Sequence, residues 1–263
     1  MSRFRWLELS EGEPPQNTEA TWVEKPDLDE GTCLAKGNQF LREGRYESAL
    51  QWYSRALRFA IELEPAWIGQ ILCLLSLEEN VEANVWADRA LERFSDSTDL
   101  LAAKACALGR TRGASEAMAY SDASLSVKGK SIGPYPWIVR GELLLNSRNE
   151  RQNAQRCFNK ALELGERDWY THYQIGLAMM RNGLTEEALI RFSTGAQLDS
   201  QNALAQCALG QAQERMGQIS AAISAYRKAK AADPRCKLAR ERLEALGRLG
   251  LIRRAWRWLW RRG

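Results

Sequence analysis

The chain has 263 residues, of which 27% are charged and 45% hydrophobic, and its formal net charge is +4. That length suffices for one large packed core or two small ones, and the composition excludes disorder over the whole chain. No apolar stretch reaches the roughly 18 residues that a spanning helix needs, and the N-terminus lacks the order of segments of a secretory signal, so the expected address is the cytoplasm.

Charge is unevenly placed. Residues 1–32 carry three basic side chains against eight acids, a net of −5, whereas residues 235–263 carry ten basic side chains against two acids, a net of +8. The first segment, 1–29, is acidic and contains proline, and it is expected to form a flexible arm without a core of its own. Phe4, Trp6 and Leu7 make a short apolar cluster within it. Such a cluster can tether the arm to its own chain or dock on another subunit or partner.

From residue 30 onward a repeat takes over. Small residues recur at Ala49, Ala83, Ala117, Ala154, Ala188 and Ala222, in steps of 34, 34, 37, 34 and 34. A second series, Ala56, Ala90, Ser124, Ala161, Gly195 and Ala229, has the same steps. Each such segment reads as the second helix of a hairpin. The helix before it often holds a glycine, at Gly37, Gly141, Gly176 and Gly210, and the turn between carries Gly44, Gly183 or Gly217. Alanine and glycine permit close helix crossings, and the large residues beside them fill the seam. The three extra residues before the fourth repeat are expected in a longer loop around Lys128–Gly133, and proline at 65, 134, 136 and 234 marks the spaces between helices.

This pattern resembles the tetratricopeptide repeat. The sixth unit carries it most fully, with Leu209, Gly210, Gly217, Ala222, Tyr226, Ala229 and Pro234, followed by the fifth (Ile175, Gly176, Gly183, Ala188, Phe192, Gly195) and the first (Gly37, Phe40, Gly44, Tyr46, Ala49, Tyr53, Ala56). Units two to four depart from it: Ile71 and Ala105 replace glycine, and Lys104 and Arg140 stand where leucine is usual. The resemblance implies an all-α fold, a right-handed superhelix of about six hairpins over residues 30–236, with a capping helix at 237–249. It implies a protein-binding scaffold, lined on one side by the first helix of each pair. Matching positions give Asn38, Arg42, Arg110, Tyr135, Tyr170, Tyr173, Arg181 and Arg215 as the candidate groove residues, a set able to hold an extended or helical peptide. The carboxylate clamp of some relatives is broken here: Asn38 matches, but Leu34, Gly69, Asp99 and Ala103 stand where its other polar residues belong.

The last segment, 250–263, ends in a Trp/Arg-rich tract. On a helix, Trp256, Leu259 and Trp260 share an apolar face, Arg253, Arg254 and Arg257 lie largely opposite, and Trp258 falls near the border. The tract suits a partner's groove, an anionic membrane surface or the chain's own last repeat, whereas direct binding of nucleic acid is disfavoured by its shortness.

Chemistry-bearing motifs are missing. No phosphate-binding glycine loop, paired-cysteine metal motif or nucleophile–base arrangement is present, so neither catalysis nor a metal or other cofactor is expected. The single histidine, His172, reads as groove-lining or partly packed, and the acid pairs Glu62–Glu64 and Glu186–Glu187 as helix-surface charge. Six cysteines, none closely spaced, read as small hydrophobes inside helices in a reducing compartment. The sequence thus points to a non-catalytic adaptor within a larger protein assembly, with a peripheral membrane scaffold or a single-client assembly chaperone as the alternatives.

Overall fold

The computed structural model describes residues 29–111, 113–146 and 148–260, and for 148 and 249–260 the backbone alone is described. Phe4, Trp6 and Leu7 therefore lie outside the described residues. Among these, every regular element is helical: α1 (Glu30–Arg42), α2 (Tyr46–Phe59), α3 (Glu64–Ser76), α4 (Asn80–Arg93), α5 (Thr98–Arg110), α6 (Ala114–Ser126), α7 (Pro134–Leu145), α8 (Arg151–Gly165), α9 (Trp169–Arg181), α10 (Thr185–Leu198), α11 (Ala203–Arg215), α12 (Ile219–Ala232) and α13 (Lys237–Trp260), with a short 3-10 turn at Arg148–Glu150. The chain divides into two compact units between Ile132 and Gly133.

Each unit holds three antiparallel hairpins, which make it an all-α helical-repeat solenoid segment. In the first unit α1, α3 and α5 pack side by side, with α2, α4 and α6 paired to them. In the second, α7, α9 and α11 do the same beside α8, α10 and α12, and α13 closes on α12. The two small-residue series mark the seam. Ala49, Ala83, Ala117, Ala154, Ala188 and Ala222 are all fully buried, and so are Ala56, Ala90, Ser124, Ala161 and Ala229.

The glycines of the first helices exist to receive rings. A Cβ on Gly37 would lie 2.6 Å from Tyr53, one on Gly141 2.5 Å from Phe158, one on Gly176 2.6 Å from Phe192 and one on Gly210 2.7 Å from Tyr226. Gly69 of α3 approaches the same Tyr53 ring. Hairpins two and three reverse the sizes. Ile71 and Ala105 occupy the glycine position, and Ala87 and Ser121 the ring position, all four fully buried.

Helix starts follow a second alternation. Asp29, Ser97, Asp168 and Asn202 cap α1, α5, α9 and α11, each accepting a hydrogen bond from a backbone amide of the first turn. The helices α3 and α7 have no such cap and carry proline in the first turn instead, where no amide hydrogen is needed. Pro65, Pro134 and Pro136 therefore open helices rather than separate them. The extra residues are also split. The step from Ala117 to Gly141 exceeds the 22 residues from Ala49 to Ile71 by two, and that from Gly141 to Ala154 is 13 against 12 from Gly37 to Ala49. The third residue thus belongs to the α7–α8 turn, where the 3-10 turn sits.

Residues 237–260 form one continuous helix, so the cap and the start of the tail are not separate helices. Ala239 and Leu246 are buried against Tyr226, Ala222 and Ala229, with Leu238 and Leu243 partly buried beside them.

Candidate functional site

Residues of the first helices spaced by three or four positions share one face. In the second unit these are Tyr135 and Glu142 on α7, then Tyr170, Tyr173, Leu177 and Arg181 on α9, then Cys207, Gln211 and Arg215 on α11. The aromatic part is built on the core. Tyr173 is only 7% exposed and lies 6.1 Å, centroid to centroid, from both Trp169 and Phe192. Tyr170, half-buried, stacks on Tyr173 at 5.7 Å and 25° and meets Trp169 edge-on at 5.5 Å. Tyr173 is thus a supporting side chain, and Tyr170 is the more exposed ring of the two.

Arg181 does not stand alone. Its Nε and Nη2 donate to the two carboxylate oxygens of Glu142, both at 2.8 Å, joining α9 to α7 through a planar two-point contact. Arg215 is exposed at the end of α11, and Tyr135 is half-buried at the start of α7.

In the first unit Asn38 accepts a hydrogen bond from the Tyr53 hydroxyl at 2.8 Å. Arg110 donates to the carbonyl of Leu75 at 3.1 Å, tying the end of α5 to the last turn of α3. Arg42 is exposed in the last turn of α1. Two of the clamp substitutions now have a physical cause: the Tyr53 ring occupies the space a side chain at Gly69 would need, and Ala103 is wholly buried.

Of the terminal candidates, Arg253, Arg254, Trp256, Arg257, Trp258, Leu259 and Trp260 lie on the helical backbone of α13, and their side chains are outside the described residues. Among the described residues no helix is long and apolar enough to cross a membrane.

His172 serves the scaffold. It is 5% exposed, and its Nε2 donates to the carbonyl of Glu166 at 3.0 Å. Trp67 Nε1 donates to Ile61 O at 2.8 Å, and Gln206 Nε2 to Ser200 O at 3.2 Å. All three bonds reach back six residues from the first turn of a first helix. Three different side chains therefore fasten the turn between hairpins in the same way, a role hidden by their unlike chemistry. Glu62 pairs with Arg93 at 3.0 Å, and Glu186 and Glu187 are exposed, as surface charge should be.

Two further clusters escaped the sequence. Lys104, in a leucine position, is buried and pairs with Asp88 across the α4–α5 boundary. At the end of the second unit, Arg242 of α13 donates to both oxygens of Glu214 on α11, and the Tyr226 hydroxyl donates to the same carboxylate at 3.0 Å. Partial burial pushes the Glu214 carboxyl up, but the bonds from Arg242 and Tyr226 outweigh it and hold the group below its ordinary value.

The sixth hairpin, residues 203–236, matches the family model of the tetratricopeptide repeat, and the buried small positions of this hairpin recur in register through the other five. The sixth hairpin is thus a tetratricopeptide repeat. Among solved structures it resembles a tetratricopeptide repeat protein from Parabacteroides merdae, at 16% identity and a TM-score of 0.52, over 82% of this chain and 84% of that one. It also resembles the APC/C hetero-tetramer Cut9–Hcn1, at 19% identity and a TM-score of 0.50, over 83% of this chain and 43% of that one. At these identities the likeness is one of fold. No curated protein matches the sequence.

Proposed function

We propose that this repeat protein is a non-catalytic scaffold or adaptor within a multiprotein assembly, and that it holds a partner segment against the first-helix face of its second unit. The observation that carries this reading is Tyr170, half-exposed and fixed by Trp169 and Tyr173. A ring held in place loses little entropy on contact, which suits an interface anchor. The Glu142–Arg181 pair adds a polar edge on the neighbouring helices. One chain of similar fold comes from the APC/C hetero-tetramer Cut9–Hcn1. The terminal segments, arm 1–29 and tail 250–263, serve as additional anchors on the same assembly, and the chain acts in the cytoplasm.

The test is affinity purification from the native cell with three baits: the intact chain, Tyr170→Ala, and a chain lacking residues 250–263. A stable partner set depleted by Tyr170→Ala supports the groove reading. A set unchanged by Tyr170→Ala but lost on truncation moves the binding site to the tail. Co-sedimentation of the intact chain with anionic vesicles at low salt, lost on truncation, would favour a peripheral membrane scaffold. Partners that bind only before assembly would favour a chaperone.

A further inference from the structure

Cys207 and Cys236 are 29 residues apart in sequence, yet their sulfurs lie 3.3 Å from each other. Neither is linked to another cysteine among the described residues. The contact joins α11 to the residue immediately before α13, where the Cys236 carbonyl accepts from Arg240 N as the helix begins. A disulfide needs about 2 Å between sulfurs, so closing this pair asks for roughly 1 Å of sulfur travel.

We propose that Cys207 and Cys236 form a reversible dithiol–disulfide site, oxidised by a hydroperoxide, that covalently fastens the start of α13 to α11. The two thiols have complementary roles. Cys236 is partly exposed, whereas Cys207 is 2% exposed. The sulfur–sulfur contact, in which either thiol can donate, followed by backbone amides at the N-terminus of α13, lowers the Cys236 thiol below its ordinary value, and the same contact together with burial raises Cys207. Because an oxidant reaches the more exposed sulfur first, Cys236 is the attacking thiolate and Cys207 the resolving thiol. Elsewhere burial pushes Cys33, Cys73 and Cys157 up, which protects them from the same chemistry.

The steps balance. The Cys236 thiolate attacks one peroxide oxygen; the oxygen–oxygen bond breaks, and the alkoxide or hydroxide leaving group takes up a proton. Cys236 is now a sulfenic acid. The Cys207 sulfur attacks the Cys236 sulfur, the sulfur–oxygen bond breaks, and water leaves with the Cys207 proton. Two thiols lose two electrons to the hydroperoxide, and a thiol reductant reverses the change. In the reduced state the Glu214–Arg242 contact holds α13 to α11. In the oxidised state a covalent tie is added, and because α13 runs unbroken to Trp260, the tie also fixes the start of the helix that bears the tail.

The test treats the reduced, full-length protein with hydrogen peroxide, blocks the remaining thiols with iodoacetamide, and maps peptides by mass. The expected result is selective loss of two labelled thiols, a Cys207–Cys236 cross-linked peptide, and its disappearance on reduction. Amide exchange over residues 237–246 should slow about tenfold or more on oxidation, because the cross-link limits opening of the cap. Cys207→Ser should leave Cys236 trapped as a dimedone-reactive sulfenic acid, and Cys236→Ser should consume no peroxide above background. Overoxidation of Cys236 without a cross-link in the unmodified sequence, a disulfide between two copies, or faster oxidation of the buried cysteines would each overturn the proposal. The unmodified chain alone decides it if either variant fails to fold.

Discussion

Hairpins two and three of the first unit and the three hairpins of the second fill the same seam in opposite ways. In the second unit a glycine of the first helix meets a ring of the second: Gly141 with Phe158, Gly176 with Phe192, Gly210 with Tyr226. In hairpins two and three the bulk of the second helix is gone, leaving Ala87 and Ser121, and the first helix carries Ile71 and Ala105 where glycine stood. What persists is close packing across the pair rather than any one residue. The family model matches residues 203–236, although the glycine–ring form recurs in three other hairpins and the helix pairing runs through all six.

The sharpest way to break that comparison is to exchange the two forms. Phe192 is buried to 2%, and Phe192→Ala should cost about 3–5 kcal/mol through lost burial and a cavity. Gly176→Ile alone should cost at least about 1–3 kcal/mol, because even a Cβ there would lie 2.6 Å from the ring. The double variant Gly176→Ile/Phe192→Ala, which copies Ile71 and Ala87, should recover most of the loss. Urea unfolding of the three proteins gives the coupling directly. Additive losses would show that the two positions do not share one volume.

A buried charge separates the units next. Lys104 is buried to 4% and pairs with Asp88, whose side chain is 52% exposed. Its ammonium also lies 5.6 Å above the Tyr120 ring. Removing the acid leaves the cation buried without its partner, so Asp88→Ala should destabilise by about 1–2 kcal/mol, less than for a fully dry pair because Asp88 is half in water. Lys104→Leu, the usual residue of the family at this place, should be close to neutral. A larger loss for Lys104→Leu than for Asp88→Ala would reverse that ranking.

The fold was legible in the sequence because it rests on size and period, which sequence displays. The two small series at steps of 34 correctly marked the seam, and they survived the exchange at hairpins two and three. The candidate site was less legible. Tyr170 and Tyr173 are three residues apart and look alike, yet Tyr173 is a core ring packed by Trp169 and Phe192 and Tyr170 is only half-buried. Cys207 and Cys236, or Glu214 and Arg242, meet only because α13 folds back onto the last hairpin, and nothing in their spacing announces it. The repeated back-bond of Trp67, His172 and Gln206 could have been seen as one register position, but three side chains of different character disguised a shared donor.

The end of the second unit adds a pH test. Glu214 holds Arg242 and Tyr226, and its carboxyl sits below the ordinary 4.5. Because the folded value is lowered, the contact contributes in full above the unfolded value and is lost as pH falls through the folded one. Docking of α13 should therefore be constant at neutral pH and weaken below about pH 4, visible as faster amide exchange over 237–246. Glu214→Gln should cost about 1 kcal/mol near neutrality, since Arg242 is 42% exposed and water screens the pair, and it should flatten the acid response.

The smallest effect concerns one turn of the first unit. Gly44, Gly183 and Gly217 turn their hairpins at φ of 75°, 77° and 73°, and Glu78 does so at 63° in the corresponding place. A side chain in the left-handed region suffers a clash between its Cβ and the backbone of about 1 kcal/mol. Glycine relieves the clash but gains freedom in the unfolded chain, which cancels part of the benefit. Glu78→Gly should then stabilise the protein by roughly 0.5 kcal/mol, read as a higher urea midpoint at an unchanged slope. Gly44→Glu, the reverse exchange at the matching turn, should lower the midpoint by a similar amount. If both substitutions lower it, Glu78 holds its turn through contacts of its own side chain, and the equivalence of the two turns fails.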